Sequence, residues 1–175
     1  MPAGEDQRGA AKSPQSSEPL LRGAALAAKL LEEACVPGPG DPLRLEVVRT
    51  LARDLAEELE ALAVLDDDTT ATVDTIATVD TIATVEGALR AADVANLAAC
   101  TVPELLDTAA TRAAAAAYLA AGAVRALGIL ADGAVSDAHE KTHGEYEQNL
   151  SKDAWGAVWR AQLAVRQVDE FIETG

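Results

Sequence analysis

The chain has 175 residues, 49% of them hydrophobic, and carries 29 acidic side chains against 14 basic ones, a formal net charge of −15 at pH 7. That length supports one domain with a core and is short for two domains. Nucleic-acid binding through phosphate contacts requires clustered Lys and Arg, and the sequence has no such cluster. These totals predict a single acidic domain that does not bind nucleic acid.

The kinds of charged and apolar residue indicate the compartment. Lysine occurs only at positions 12, 29, 141 and 152, whereas alanine and acidic residues are abundant. Such a composition is typical of a salt-adapted cytoplasm, where a carboxylate surface stays hydrated and salt screens its self-repulsion. A mesophile with GC-rich genes produces a similar alanine bias, so both origins stay open. The N-terminus lacks the pattern of a signal peptide, and we predict a cytoplasmic protein.

Two features bear on membranes and on redox chemistry. Residues Ala113–Ala131 are nearly free of charge, but Arg125 interrupts them and alanine outnumbers leucine, which favours a buried bundle helix over a membrane span. Cys35 and Cys100 are not spaced as metal ligands, and their apolar surroundings predict two buried thiols in a reducing compartment. No membrane association is expected.

The N-terminal residues differ in composition from the rest of the chain. Residues 1–17 combine Pro, Ser, Gln and Gly without apolar periodicity, and they predict a disordered tail before a single domain over residues 18–175. Ser17 is expected to be the N-cap of a first helix, which carries a leucine stripe and reaches about Cys35.

A strong break separates the first helix from the second. Pro37–Gly40 reads Pro-Gly-Pro-Gly, which no helix continues through. Asp41 as N-cap, with Pro42 at the first helical position, is a helix-start pattern. The apolar residues that follow predict a second helix, which ends near Asp66.

A six-residue near-repeat follows, ATVDTI, ATVDTI and ATVEGA, over residues 71–88. Its β-branched residues favour a strand. A hexapeptide period is also that of a β-helix, but fewer than three full repeats cannot bury a solenoid face. The acidic Asp66–Asp68 and the helix-forming residues 89–92 favour a helix, in which this period leaves apolar residues on nearly every side. We predict a central helix over residues 68–100, with the strand still open for the repeat.

The second half of the chain also reads as helical. Thr101 and Glu104 have the spacing of a capping box, with an early Pro103, and predict the start of a helix. A kink or a fresh start is expected at Ser136. The count is then five or six helices with short connections, which predicts an all-α fold, an up-down bundle of antiparallel neighbours.

The two histidines lie four residues apart in His139-Glu140-Lys141-Thr142-His143, the pattern H-E-x-x-H. On a helix, residues i and i+4 share a face, so both imidazoles can bind one Zn²⁺ while Glu140 polarises a metal-bound water. The motif predicts, as one alternative, a hydrolase-like enzyme with one divalent metal at His139, Glu140 and His143.

Other interpretations of this motif stay open. Metalloprotease helices with H-E-x-x-H pack against a β-sheet, whereas the upstream chain is predicted helical and residues 136–148 are almost entirely polar. A third ligand would have to come from an acidic side chain such as Glu145 or Glu170. A solvated polar turn, whose histidines titrate near neutral pH, explains the same residues without any cofactor.

The last helix, with Ser151 or Asp153 as its cap, carries Trp155 and Trp159. Tryptophan is enriched at protein interfaces, and these two are candidate interface residues. Core anchoring is the equal alternative. The first hypothesis for function is therefore a non-catalytic acidic bundle that acts through self-association or a protein partner.

Overall fold

A computed structural model describes residues 16–35, 40–67, 73–142 and 145–174, with side chains for all of these except 66–67, 73–80, 137–142 and 145–147. Within these ranges the chain forms helices and no strand, which confirms the all-α prediction. Apart from Ser16 and Ser17, the predicted tail lies outside the described residues. The helices are α1 (Glu18–Ala34), α2 (Pro42–Asp67), α3 (Val73–Thr101), α4 (Asp107–Thr142) and α5 (Glu145–Thr174).

The first two helices begin at their predicted positions. Oδ1 of Asp41 accepts the backbone N–H of Leu43 at 3.0 Å, so this residue is the N-cap of α2. Ser17 is the N-cap residue of α1, as predicted, but its side chain makes no capping hydrogen bond. Instead, Oγ of Ser16 accepts the N–H of Glu18 at 3.2 Å. Both contacts satisfy first-turn amides that have no partner within the helix.

The hexapeptide repeat is helical from Val73 onward, so the strand alternative is wrong for the described part of the repeat, and residues 71–72 lie outside it. α3 packs against all four other helices. A helix surrounded in this way needs apolar residues on every side, and the six-residue period supplies them. The repeat therefore belongs to the central helix of the bundle.

The connection after α3 differs from the prediction. The hydroxyl of Thr101 donates back to the carbonyl of Leu97 at 2.6 Å, and Val102–Glu104 form a 3-10 turn. α4 begins only at Asp107, whose φ of 47° lies in the left-handed region that Asp tolerates better than most side chains. The capping-box spacing thus marks a short turn, and the helix start expected at Thr101 is wrong.

α4 and α5 are both longer than predicted. α4 continues as one helix to Thr142, so the alternative of a fresh helix start at Ser136 is wrong, and α5 begins at Glu145 rather than at Ser151 or Asp153. The hydroxyl of Ser151 donates to Oδ1 of Asp132 in α4, 3.0 Å away. Its role is to join the two helices, which local sequence patterns do not reveal.

Alanine and glycine bring the helices close together. Most buried core positions are alanines, and the largest fully buried side chains include Leu21, Leu31, Leu59 and Leu127. A Cβ added to Gly87 of α3 would lie 2.1 Å from Cδ2 of Leu21 in α1. A Cβ added to Gly128 of α4 would lie 2.7 Å from Cγ2 of Val158 in α5. A larger residue at either position would force the neighbouring side chain to move.

Ion pairs join the helices at the surface. Arg53 of α2 contacts Glu32 of α1 at 2.7 Å, and Arg90 of α3 contacts Glu58 of α2 at 2.8 Å. Three further pairs between different parts of the fold are Lys29 with Glu60, Arg44 with Glu104, and Arg160 with Asp93. Exposed pairs of this kind each contribute about 1 kcal/mol or less. They orient the helices more than they stabilise them.

One described helix segment, Asp107–Ser136 of α4, is long and apolar enough to cross a membrane by length and composition. Half of its most apolar window is buried inside the protein. Core helices of water-soluble proteins pass the same test.

Candidate interaction surface

The predicted metal ligands fall outside the described side chains. The backbone of α4 is helical through His139 and Glu140, whose side chains are not described, and His143 lies between the described ranges. Among the side chains that are described, no group of three His, Cys, Asp or Glu residues is placed to hold a metal. The site at His139, Glu140 and His143 stays a prediction.

The two thiols have different environments. Cys35 is buried as predicted, whereas Cys100 is exposed and the prediction for it is wrong. Burial raises the pKa of Cys35 to about 11, against a smaller lowering by Arg49. A thiol with that pKa stays protonated at neutral pH, and only the thiolate is a good nucleophile. Cys35 is therefore part of the core.

Trp155 and Trp159 lie on the outer face of α5. Their exposed fractions are 48% and 62%, so neither ring anchors the core. Residues four apart share a helix face, and the opposite face of α5 is buried through residues such as Ala157 and Ala164. Nε1 of Trp155 donates to Oδ1 of Asp132 at 3.4 Å, which holds this ring towards α4. The assignment of both tryptophans to an interface stays a prediction.

α4 adds apolar surface beside the tryptophans. Ile129 is 59% exposed. Its neighbour Gly128 lies against Val158, which stands between the two tryptophans in α5, so Ile129 lies at the level of both rings. α5 also exposes Phe171 and Ile172 near its C-terminus. We call the other exposed large apolar residues of these two helices the α4–α5 face: Tyr118, Leu119, Ile129, Trp155, Trp159 and Leu163. Exposed apolar patches of this kind mark interaction sites.

The α4–α5 pair also differs from the rest of the molecule in its electrostatics. On α1, α2 and α3 every described Lys and Arg forms an ion pair. The cations that lack one within the described part of the chain are Arg112 and Arg125 on α4, and Lys152 and Arg166 on α5. Because acidic residues outnumber basic ones about two to one, free cations are the exception here. These four cations are on the same two helices as the exposed Tyr118, Trp155 and Trp159.

Two clefts open on the surface. One, of about 310 Å³ between α1 and α2, is lined by Arg22, Lys29 and Glu60, and all three already form ion pairs. The other, of about 550 Å³, is a shallow depression beside Cys100 and Phe171. The charged groups of the first cleft are thus already paired, whereas the second cleft is also lined by Gln167 and Glu170.

Sequence reasoning found the two tryptophans and missed Leu163 and Ile129. The spacing 155, 159, 163 is a signal for a second apolar stripe on α5, opposite the buried one. Ile129 had no such signal, because the sequence of α4 places apolar residues on every face of the helix. Comparisons of the chain with protein-family models, with curated proteins and with solved structures find no match.

Proposed function

We propose that this chain is a non-catalytic association module, which binds a protein partner or its own copy through the α4–α5 face. The observation that carries this proposal is the exposure of both tryptophans, at 48% and 62%, on a face that also holds Leu163 and Ile129. Tryptophan is the residue most enriched among those that dominate binding energy at interfaces. Burying this face on a partner would supply the driving force for association.

The free cations support the same conclusion. Lys152 and Arg166 flank the tryptophans along α5 and have no ion-pair partner within the described chain. In so acidic a protein, a cation left free beside an apolar face can pair with an acidic group of the binding partner. Such pairs give orientation and specificity more than affinity. The face thus combines an apolar centre with charged flanks.

We further propose that successive helices run antiparallel, as an up-down bundle of five helices. The pairs between α1 and α2 support this, because Lys29 pairs with Glu60, while Glu32, which follows on α1, pairs with the earlier Arg53 on α2. The pairs between α4 and α5 follow the same rule, since Tyr118 bonds Asp169 and Asp132 bonds Ser151. In this arrangement α4 and α5 are adjacent and antiparallel, so their outer faces form one surface.

The second candidate function is the metal-dependent enzyme predicted from H-E-x-x-H. It is supported by the helical backbone of α4 at His139 and Glu140, while His143, which the motif needs on the same helix, lies outside the described residues. Metal content of the purified protein tests it. About one Zn²⁺ per chain, lost in both His139→Ala and His143→Ala, would support this candidate, and a metal-free protein after exposure to micromolar Zn²⁺ would exclude it.

Photo-crosslinking tests the association function. A photoreactive phenylalanine analogue replaces Trp159, which is 62% exposed, in one variant and Val47, which is 58% exposed on α2, in a matched control. Both variants are irradiated in an extract of the cells from which the chain comes. We expect defined crosslinked products, to the chain's own copy or to another protein, from position 159 only. Equal crosslinking at positions 47 and 159, or none at 159, would contradict the proposal.

A further inference from the structure

The outer face of α5 has the spacing of a helix-pairing seam. Six exposed residues follow one another along it at alternating intervals of four and three, which is the heptad spacing that keeps one face of a helix against a partner helix. The apolar pair lies in the middle of this row and the charged residues lie towards its ends. We call this row the α5 seam: Lys152, Gly156, Trp159, Leu163, Arg166 and Glu170.

The α5 seam is complementary to itself. When a second α5 is placed antiparallel to the first, with the two-fold axis at the level of Ala161, residues equally distant from Ala161 face each other. Trp159 then faces Leu163 of the second copy, twice, and forms one apolar centre. Lys152 faces Glu170 of the second copy, also twice. The same surface patch on both partners is what a two-fold symmetric interface requires.

We propose that a second copy of this chain occupies the α4–α5 face, in an antiparallel two-fold dimer centred on the α5 seam. This inference rests on the proposed association function and names its partner. The charge pattern carries the choice of partner. Lys152, Arg166 and Glu170 have no ion-pair partner in the described chain, and Lys152 and Glu170 meet each other in the dimer. The symmetry thus brings each free lysine to an acid of the other chain.

Gly156 adds an independent argument. Glycine within a helix costs about 1 kcal/mol relative to alanine. An added Cβ at Gly156 would meet nothing within 4 Å, as at Gly23, Gly122 and Gly133, so packing inside the chain does not require this glycine. In the dimer, Gly156 faces Arg166 of the second copy. The missing side chain leaves room for that long side chain, which can lie over the neighbouring Trp155 ring as a cation–π contact.

The net charge makes a further prediction about this dimer. Two chains of −15 each repel one another over distances beyond a few ångströms, and salt screens that repulsion. The ion pairs of the seam are weakened by the same salt, but they are few. Dimerisation should therefore strengthen as the salt concentration rises from about 0.1 M to about 1 M.

Sedimentation equilibrium of the full chain with charge-reversal variants tests the dimer. We expect the wild type to dimerise and Trp159→Ser to be monomeric. Lys152→Glu and Glu170→Lys each place two pairs of like charges across the seam, and each should weaken the dimer about tenfold, equivalent to about 1.4 kcal/mol. The double variant Lys152→Glu/Glu170→Lys restores the opposite charges and should regain the wild-type dissociation constant. Circular dichroism confirms that each variant is folded.

The control and the alternative outcomes separate this inference from the proposed function. Leu43→Ser/Val47→Ser removes exposed apolar residues from α2 and should leave the dimer unchanged. Loss of the dimer in this variant would show that α2 lies in the interface, and would overturn the two-fold dimer centred on the α5 seam. A dimer that needs Trp159 but is not rescued by the double charge variant would overturn the antiparallel register and keep the association function. A wild-type monomer at about 100 µM in high salt would overturn the second copy as partner. Crosslinking from position 159 to a different protein would then still support the function.

Discussion

The α1–α2 pair and the α4–α5 pair have similar interiors and different exteriors. Both bury alanines together with fully buried leucines, such as Leu31 in α1 and Leu127 in α4. On the outside of α1 and α2, each described cation has an acidic partner, as in the contact of Arg53 with Glu32. On the outside of α4 and α5, four cations have no ion-pair partner within the described residues, Arg160 pairs with Asp93, and two tryptophans are exposed. The described cations of α1 and α2 are therefore all paired, although this side also exposes apolar side chains such as Leu43, Val47 and Val64. The α4–α5 side instead combines exposed tryptophans with cations that lack an ion-pair partner among the described residues.

This difference teaches how an acidic helical protein can keep one face for association. Most of the few described cations form ion pairs with acidic residues of the same chain. The excess of acidic residues then makes the surface as a whole repel other copies of the chain. A face with aromatic rings and with cations that lack a described ion-pair partner can offer both to a binding partner. We infer that the α4–α5 face is distinguished by its charge as much as by its hydrophobicity.

The largest effects should come from the interior, and they should be equal on the two sides. Leu31→Ala and Leu127→Ala each remove a fully buried side chain and leave a cavity, which should lower the free energy of unfolding by about 2 to 5 kcal/mol. Ile129→Ala, two residues from Leu127 but exposed, should lower it by less than about 0.5 kcal/mol. Urea denaturation followed by circular dichroism measures all three. A large loss for Ile129→Ala would show that this residue is not part of a free surface.

Intermediate effects should come from the two classes of glycine. Gly87→Ala places a Cβ 2.1 Å from Cδ2 of the buried Leu21 and should lower the free energy of unfolding by about 1 to 3 kcal/mol. Gly156→Ala meets no neighbour and should raise it by about 0.5 to 1 kcal/mol, because alanine favours the helix.

Gly156→Ala should also affect dimerisation, in the direction opposite to its effect on stability. In sedimentation experiments Gly156→Ala should weaken the dimer, since the added methyl group lies in the α5 seam, while it stabilises the single chain. Opposite signs in the two measurements are the expected result. A variant that is more stable and dimerises as well as the wild type would contradict the role of Gly156.

The smallest effects should come from single cations. Arg90→Ala removes contacts to Glu58 and Glu86 and should lower the free energy of unfolding by at most about 1 kcal/mol, less in high salt. Arg166→Ala removes a cation without an ion pair, so the unfolding of the single chain should not change, whereas the dimer should weaken. Denaturation at low protein concentration and sedimentation at high concentration separate the two. Equal loss of stability in both variants would contradict the contrast between paired and free cations.

Sequence patterns predicted correctly those helix starts that are set by contacts between residues close together in the sequence. Asp41 caps α2 as its position before Pro42 indicated, because the cap, the proline and the first turn are neighbours in sequence. The hexapeptide repeat was assigned to a helix from its flanking residues and its rotation around the axis, and α3 includes it from Val73 onward. Predictions failed where the decisive contact was distant. Ser151 looked like a cap but bonds Asp132 in another helix.

The candidate surface was predictable only in part. Trp155 and Trp159 stood out by residue type, but composition could not tell a core anchor from an exposed ring. Leu163 becomes part of the face once Val158 is known to point inward, since a helix can bury either of two apolar stripes. Lys152 and Arg166 have no ion-pair partner among the described residues, but this could not be recognised from sequence. In so acidic a chain, both cations have acidic residues close to them in the sequence.

The sequence by itself determined an acidic, all-helical chain, most helix-start signals in its first half and the helical state of its repeat. These properties follow from residue propensities, caps and periodicity within a few turns of helix. The tertiary structure decided which stripe of α5 faces inward, where α4 begins and ends, and which cations find acids. Those outcomes depend on the competition between helix faces for the same core and on contacts between residues far apart in sequence. The exposure of the two tryptophans is the result of that competition.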